Sequence, residues 1–341
     1  MKKCDGKRRL YLQRIAANRA KRKFRKTAKT KVELRDKATF DDVISAPRFF
    51  TLQDEKERRT FLAFIGELDR LRPLQNQRIL IDFSMTEQMI SDGTLLFKAH
   101  LYQLVTQDNN LKIKVKFSRS SRINQVLQQI GVLKLVGQKS DLRIRHPDVV
   151  NWRYAQGAGA IGRKTDGILE PFEGTISETL QKGLYLGLTE AMTNTRQHAY
   201  PDIIQTDDFT ENMRIEWWMF SQDKGDRVHV VFCDLGIGIP ESLPNKQPNL
   251  WKRILKSFGA TPGDSRVISE TIRSSASRTG QAHRGKGLSQ LTKILSKTKG
   301  GDLRLYSNHG CYTLCGGDPY LQDYKTTING TLIYWSLPIK E

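Results

Sequence analysis

Glu190, Asn194 and His198 stand four residues apart in the stretch LTEAMTNTRQHA, so in a helix an acid, an amide and an imidazole share one face. A carboxylate and an amide oxygen on one wall can activate water and hold a hard cation. His198 either joins that wall or meets the dipole at the helix end. Gly183 and Gly187 precede them on the same stripe. Mid-helix glycines cost roughly 1 kcal/mol each relative to Ala, so two on one face predict close approach by a neighbouring strand or by a ligand. Leu180, Leu184, Leu188, Ala191 and Thr195 form a second stripe, the expected core face. Downstream, the apolar run VHVVFCDLGIGIP breaks at Asp234, Gly236 and Gly238. Such a strand end offers a buried acceptor beside backbone that a planar or phosphorylated ligand can approach. Further on, Arg284, Gly285, Lys286, Gly287 and Leu288 open the amphipathic segment RGKGLSQLTKIL. Its first amides would form an anion cradle, with Arg284 or Lys286 adding charge. A final strand, NGTLIYWSLP, is entered by Gly330 and Thr331.

In this order and spacing, EAMTN, DLGIGIP, RGKGL and GTLIYWSLP resemble the four boxes of the GHKL ATPase superfamily (gyrase-type topoisomerases, heat-shock chaperones, histidine kinases and mismatch-repair ATPases) from Thr175 to Pro338. The resemblance implies an ATP site with Mg²⁺. Asn194 would hold the ion and Glu190 would act as general base. Asp234 would accept from the adenine amino group, with Gly236 and Gly238 shaping the base pocket. Gly285 and Gly287 would contact phosphate, and Thr331 would reach the adenine end through water. One departure is His283, where the second glycine box usually begins with Gly. Residues 241–283, polar and containing SSASRTGQAH, would form a lid over the nucleotide. Neither a Walker lysine loop nor a dinucleotide fingerprint occurs.

The elements that must carry these residues follow from periodicity. RRTFLAFIGELDRLR, ISDGTLLFKAHLYQLVTQ and SRINQVLQQIGVLKLV have helical spacing, and RILIDFS and LKIKVKFS read as strands. This alternation predicts a small α/β domain over residues 46–145, and its order resembles the STAS domain of bacterial anti-sigma antagonists. Where phosphorylated members carry a Ser or Thr, the helix start here reads Ser91, Asp92, Gly93, Thr94, with Asp92 at the acceptor place. That points to a fixed interaction module. Residues 146–170 read as a linker dense in Gly and charge. Residues 171–341 form the second domain, with a helix from Thr175 to His198 and a strand pair, MRIEWWMFS and DRVHVVFCD, joined by QDKG. The expected fold class is therefore α/β, an α+β layered sandwich of GHKL type behind a smaller STAS-like domain and a basic arm over residues 1–45.

The net charge of +20 is concentrated in that arm. Residues 1–40 hold 16 Lys and Arg against Asp5, Glu33 and Asp36, a net +13, which leaves +7 for the rest. The arm would either contact nucleic acid in a salt-sensitive manner or lie as a solvated extension. No apolar run is long enough to span a bilayer, and no secretory signal is present, so a cytoplasmic protein is expected. Cys4, Cys233, Cys311 and Cys315 make no disulfide framework. Cys311 and Cys315 read as buried strand residues rather than metal ligands with His309, and Trp217 and Trp218 read as packing residues. The loop SRSSR at 118–122 reads as a basic connection before a helix.

Only three residues follow Pro338, so a transducer domain is not expected, and His146 lies in no long helical pattern, so a histidine-kinase phosphoacceptor helix is not expected either. The anti-sigma kinase type is the resemblance that remains. It implies a bacterial, ATP-gated regulatory switch that binds and hydrolyses Mg-ATP and engages a protein partner through the STAS-like module, with a homodimer left open. The alternatives are a protein Ser/Thr kinase, or a nucleotide-binding scaffold whose arm holds nucleic acid, as in phage defence.

Overall fold

The computed structural model describes residues 39–107, 110–157, 176–200, 216–277 and 287–339. The basic arm through residue 38, and Arg284, Gly285 and Lys286, lie outside the described residues, as does the side chain of His198.

The N-terminal region is α/β with parallel sheets. Strands β1 (Asp42–Ser45), β3 (Arg78–Asp82) and β5 (Lys112–Lys116) form a parallel sheet in the order β1-β3-β5, and β2 (Phe49–Phe50) pairs with β4 (Gln88–Met89). Helix α1 (Glu55–Arg70) starts where the Asp54 carboxylate accepts from the Glu57 amide at 3.0 Å. Its Phe61, Phe64, Ile65 and Leu68 are buried at helical spacing. Helix α2 (Ser91–Thr106) is followed by α3 (Ser121–Gln129), a one-turn α4 (Val132–Leu135) and a one-turn α5 (Pro147–Val150). Ser118 and Arg122 of the basic loop have structural partners: Ser118 Oγ donates to the Thr86 carbonyl, and Arg122 pairs with Asp148.

The C-terminal region is a seven-stranded antiparallel sheet with helices. Its strands are β6 (Trp152–Gly157), β7 (Trp217–Lys224), β8 (Arg227–Asp234), β9 (Asp302–Ser307), β10 (Gly310–Cys315), β11 (Tyr320–Asp323) and β12 (Thr331–Pro338), in the order β11-β10-β9-β12-β8-β7-β6. Strands β7 and β8 form a hairpin that turns at Gly225 and Asp226, with Lys224 opposite Arg227. Side chains alternate between the two faces. Trp217, Met219, Val230 and Phe232 pack under the helices α6 (Glu178–Asn194), α9 (Asp264–Ser277) and α10 (Gly287–Leu295). Trp218, Phe220, Val231 and Cys233 point the other way, into a core shared with the N-terminal region. Helix α2 lies between its own sheet and that back face, which is why every residue from Ser91 to His100 is buried.

The structure departs from the sequence reading in several segments. Asp42–Ser45, assigned to the arm, is an edge strand of the parallel sheet, and Trp152–Gly157, assigned to the linker, is the edge strand β6. Residues 241–277 of the expected polar lid are largely helical. Here α7 (Gly238–Lys246) and α8 (Pro248–Phe258) join α9 around Leu243, Leu250, Ile254 and Val267. Two prolines split this stretch into short helices that each bury only one or two apolar side chains, so its periodicity is hard to read. The helix predicted to His198 ends at Asn194 and continues as one π-turn, Thr195–Ala199. Cys311 is buried, but Cys315 is exposed at the end of its strand. Among the described residues, no helix is long and apolar enough to cross a membrane.

Candidate functional site

Helix α6 begins with Ser177, whose hydroxyl accepts from the Leu180 amide. Leu180, Leu184, Leu188 and Ala191 bury it against the sheet. The glycine face meets neither a strand nor an open pocket: Gly183 and Gly187 face α10. A methyl on Gly183 would stand 2.7 Å from Ile294 Cδ1, and one on Gly187 would stand 2.8 Å from Leu291 Cδ2. Gly287 completes this contact, since an added Cβ would strike the Leu186 carbonyl. The glycines therefore draw the N-terminus of α10 against the last turns of α6.

Beyond that contact the helices open onto a cavity of about 780 Å³. Glu190, Asn194, Asp234, Gly238, Gly287, Leu288 and Thr331 all border it, although they come from four separate stretches of the chain. Glu190 Oε2 accepts from the Leu288 amide at 2.6 Å. Burial raises its carboxyl above the ordinary value, while the amides of Leu288 and Gly287 and the charge of Lys246 partly offset that. A carboxylate at the first amides of α10 occupies the place where a helix favours an anion.

Asp234 ends β8 opposite Thr331 of β12. Its Oδ1 accepts from the Gly236 amide at 3.0 Å, and Thr195 Oγ1 lies 3.4 Å from its Oδ2. Burial pushes this carboxyl up to about 6, against the pull of those groups and of the Thr331 amide. Thr331 Oγ1 in turn lies 3.1 Å from Ser307 Oγ. Gly236 is not on the cavity wall. It lets the strand end pack on the π-turn, where a side chain would strike the Ala199 carbonyl, and the Ile237 amide donates to that same carbonyl at 2.8 Å. Gly238 has φ +81° and presses on the Asn308 side chain, so only glycine suits the turn into α7.

One wall of the cavity was absent from the sequence reading. Ile239, Ser242, Leu243 and Lys246 line it from α7, and Lys246 Nζ donates to Asn194 Oδ1 at 2.5 Å. The spacing i, i+3, i+4, i+7 after Gly238 is the signal that places these four on one helical face. Ile268, Thr271, Ile272 and Ser275 of α9 close the far side.

Among the described residues, no group of three or more His, Cys, Asp or Glu side chains converges to hold a metal ion. The cavity thus lacks a dedicated cation cage. The Asn194 oxygen is instead a single hard donor, which fits an ion that arrives with phosphate oxygens as its other ligands. No protein-family model matches this chain, and no curated protein matches it either.

Proposed function

We propose that this chain binds Mg-ATP in the cavity between α6, α7, α9 and α10, in the manner of GHKL ATPases, and hydrolyses it as a cytoplasmic, ATP-gated regulatory switch. The observation that carries this reading is convergence. A buried carboxylate at a strand end, an acid and an amide on one helix, a glycine-opened helix N-terminus and a strand-entry threonine border one cavity.

Each residue then has a physical task. Asp234, buried and hydrogen-bonded by amides, would accept from the adenine amino group, and Thr331 would sit at the same end. The amides of Gly287 and Leu288 would meet phosphate oxygens. Asn194 would contribute one oxygen to Mg²⁺, which when bound neutralises charge on the phosphate chain. Glu190, its basicity raised by burial, would take the proton from water, a role worth roughly 10²- to 10⁴-fold in rate.

The N-terminal region, read as STAS-like, would act as a fixed partner of this site. Asp92, at the acceptor place, is fully buried beneath the sheet, with Gln53 Nε2 donating to it at 3.2 Å, and Ser91 and Thr94 are buried beside it. This favours transfer to water, or to a separate protein, over phosphorylation of its own module.

The test is binding of labelled ATP with Mg²⁺, and phosphate release, by wild type, Glu190→Gln and Asn194→Ala. Wild type should bind and release. Glu190→Gln should bind with release at least about 100-fold slower, and Asn194→Ala should lose the Mg²⁺-dependent part of binding. A wild-type chain that fails to bind ATP ends the proposal.

A further inference from the structure

We propose that Lys246 is the residue that reads the phosphate chain, and that the nucleotide-free site parks it on Asn194. The inference rests on the nucleotide reading above and deepens it. The cavity is bordered by two carboxylates, Glu190 and Asp234, and Lys246 is the sole Lys or Arg among the described residues lining it. A polyphosphate entering between two acids needs a cation in reach, and the four-carbon stem of lysine lets one ammonium follow a mobile anion.

The fold fixes where that stem starts. Ahead of α7, Asn308 Nδ2 donates to the Ile237 carbonyl at 2.8 Å, and the Ile239 amide at its start donates to Ser307 Oγ at 2.8 Å. Leu243 anchors the middle of the helix among Leu250, Ile254 and Val267. Lys246, two turns beyond Gly238, is thereby held on the wall facing α6.

The contact it makes there identifies the parked state. An ammonium can only donate, so the Asn194 side chain presents its oxygen to Lys246. That oxygen is the atom an oxygen-seeking divalent cation would take. The empty site thus holds a tethered cation on the metal-binding oxygen. It likewise holds the Glu190 carboxylate on the α10 amides, where phosphate would sit. Mg-ATP brings both charges with it, so its arrival frees Lys246 to move onto the phosphates.

The experiment is calorimetric titration of the full chain with adenosine, AMP, ADP and ATP in the presence of Mg²⁺, for wild type, Lys246→Gln and Lys246→Arg. Wild type should bind more tightly with each phosphate. Lys246→Gln should lose roughly 10- to 100-fold in ATP affinity, the size of a charge-assisted hydrogen bond, while adenosine stays within about twofold. Lys246→Arg should recover part of the loss. Unchanged ATP affinity in Lys246→Gln overturns the inference and leaves the ATP reading standing. An equal loss for adenosine also overturns it, by showing that the residue shapes the pocket rather than reading phosphate. A wild-type chain that binds none of the four ligands removes the nucleotide reading and this inference together.

Discussion

On the front face of the seven-stranded sheet, α6 and α10 close on one another through glycines and then diverge, leaving a cavity bordered by Glu190, Asn194 and Asp234. On the back face, α1 and α2 bury Arg58, Asp92 and Lys98 just as deeply, yet fill the space around them with rings. The Arg58 guanidinium stacks 4.2 Å from the Tyr324 ring centre, and Lys98 Nζ lies 5.5 Å from that of Tyr154. Tyr102 meets Trp218 edge-on, and Trp152 stacks on Phe220. Both faces therefore carry buried, perturbed charges, and a search for such groups alone would not tell them apart. What separates them is room: charge beside empty volume can serve a ligand, whereas charge packed against aromatic rings serves only the fold.

The sharpest test of that contrast is Asp234→Asn on the front face. Burial moves this carboxyl from 3.8 to about 6, roughly 3 kcal/mol at about 1.4 kcal/mol per pH unit. The folded state holds the extra proton, so the stabilisation is complete below 3.8 and is lost as pH rises through 6. At pH 7 the wild-type chain carries an ionised, buried carboxylate. Asp234→Asn should therefore unfold at higher urea, gaining about 1–3 kcal/mol at pH 7 and progressively less towards pH 4. The same change should weaken ATP binding by roughly 10- to 100-fold, because the charged acceptor is gone. Wild-type affinity should also fall as pH drops through about 6. An Asp234→Asn chain that is no more stable, and binds as before, would remove Asp234 from the site.

Lys98→Met is the matching change on the back face. Burial alone lowers this amine from 10.5 to about 8, again roughly 3 kcal/mol. Here the unfolded chain holds the extra proton, so wild-type stability should rise between pH 8 and 10.5. The Met variant should be more stable by about 1–3 kcal/mol at pH 7, less the hydrogen bond from Nζ to the Gly131 carbonyl. The gap should close by pH 10.5, with ATP affinity unchanged within about twofold. A loss of ATP affinity would show that the two faces are coupled through β8, whose Cys233 packs on the back face one residue before Asp234.

Legibility in the sequence follows the same contrast. The front wall was readable because its residues sit at fixed spacings on single elements: Glu190 and Asn194 on one helix, and Asp234, Gly236 and Gly238 at one strand end. The N-terminal alternation was readable as well, because α1, β3, α2, β5 and α3 each carry a clean period. Lys246 was hidden because the polar segment after Gly238 reads as a loop, and only the helical spacing of Ile239, Ser242 and Leu243 discloses it. Edge strands β1 and β6 were hidden because each has one partner and a composition close to that of a loop: DVIS and WRYAQG. Nothing in the sequence placed α2 against the sheet. That docking is a long-range contact, visible only as an α2 stretch too uniformly apolar for a helix with one solvated face.

The smallest effects test how the cavity is kept open. Gly183 and Gly187 both face α10, and Ala at either position gains roughly 1 kcal/mol of helix propensity. At Gly183 the new methyl meets the tip of Ile294, a half-buried side chain that can turn outward. Gly183→Ala should therefore change stability by less than about 1 kcal/mol, since the two effects offset each other. At Gly187 the methyl meets Leu291, which is fully buried and has no room to yield. Gly187→Ala should destabilise by about 1–3 kcal/mol. The displaced α10 would also carry the amides of Gly287 and Leu288 away from Glu190. Thermal melts of the two variants measure the first difference, and ATP titrations measure the second. Equal costs at both positions would mean that the helices are held apart by backbone contact, as at Gly287, and that Leu291 does not set their separation.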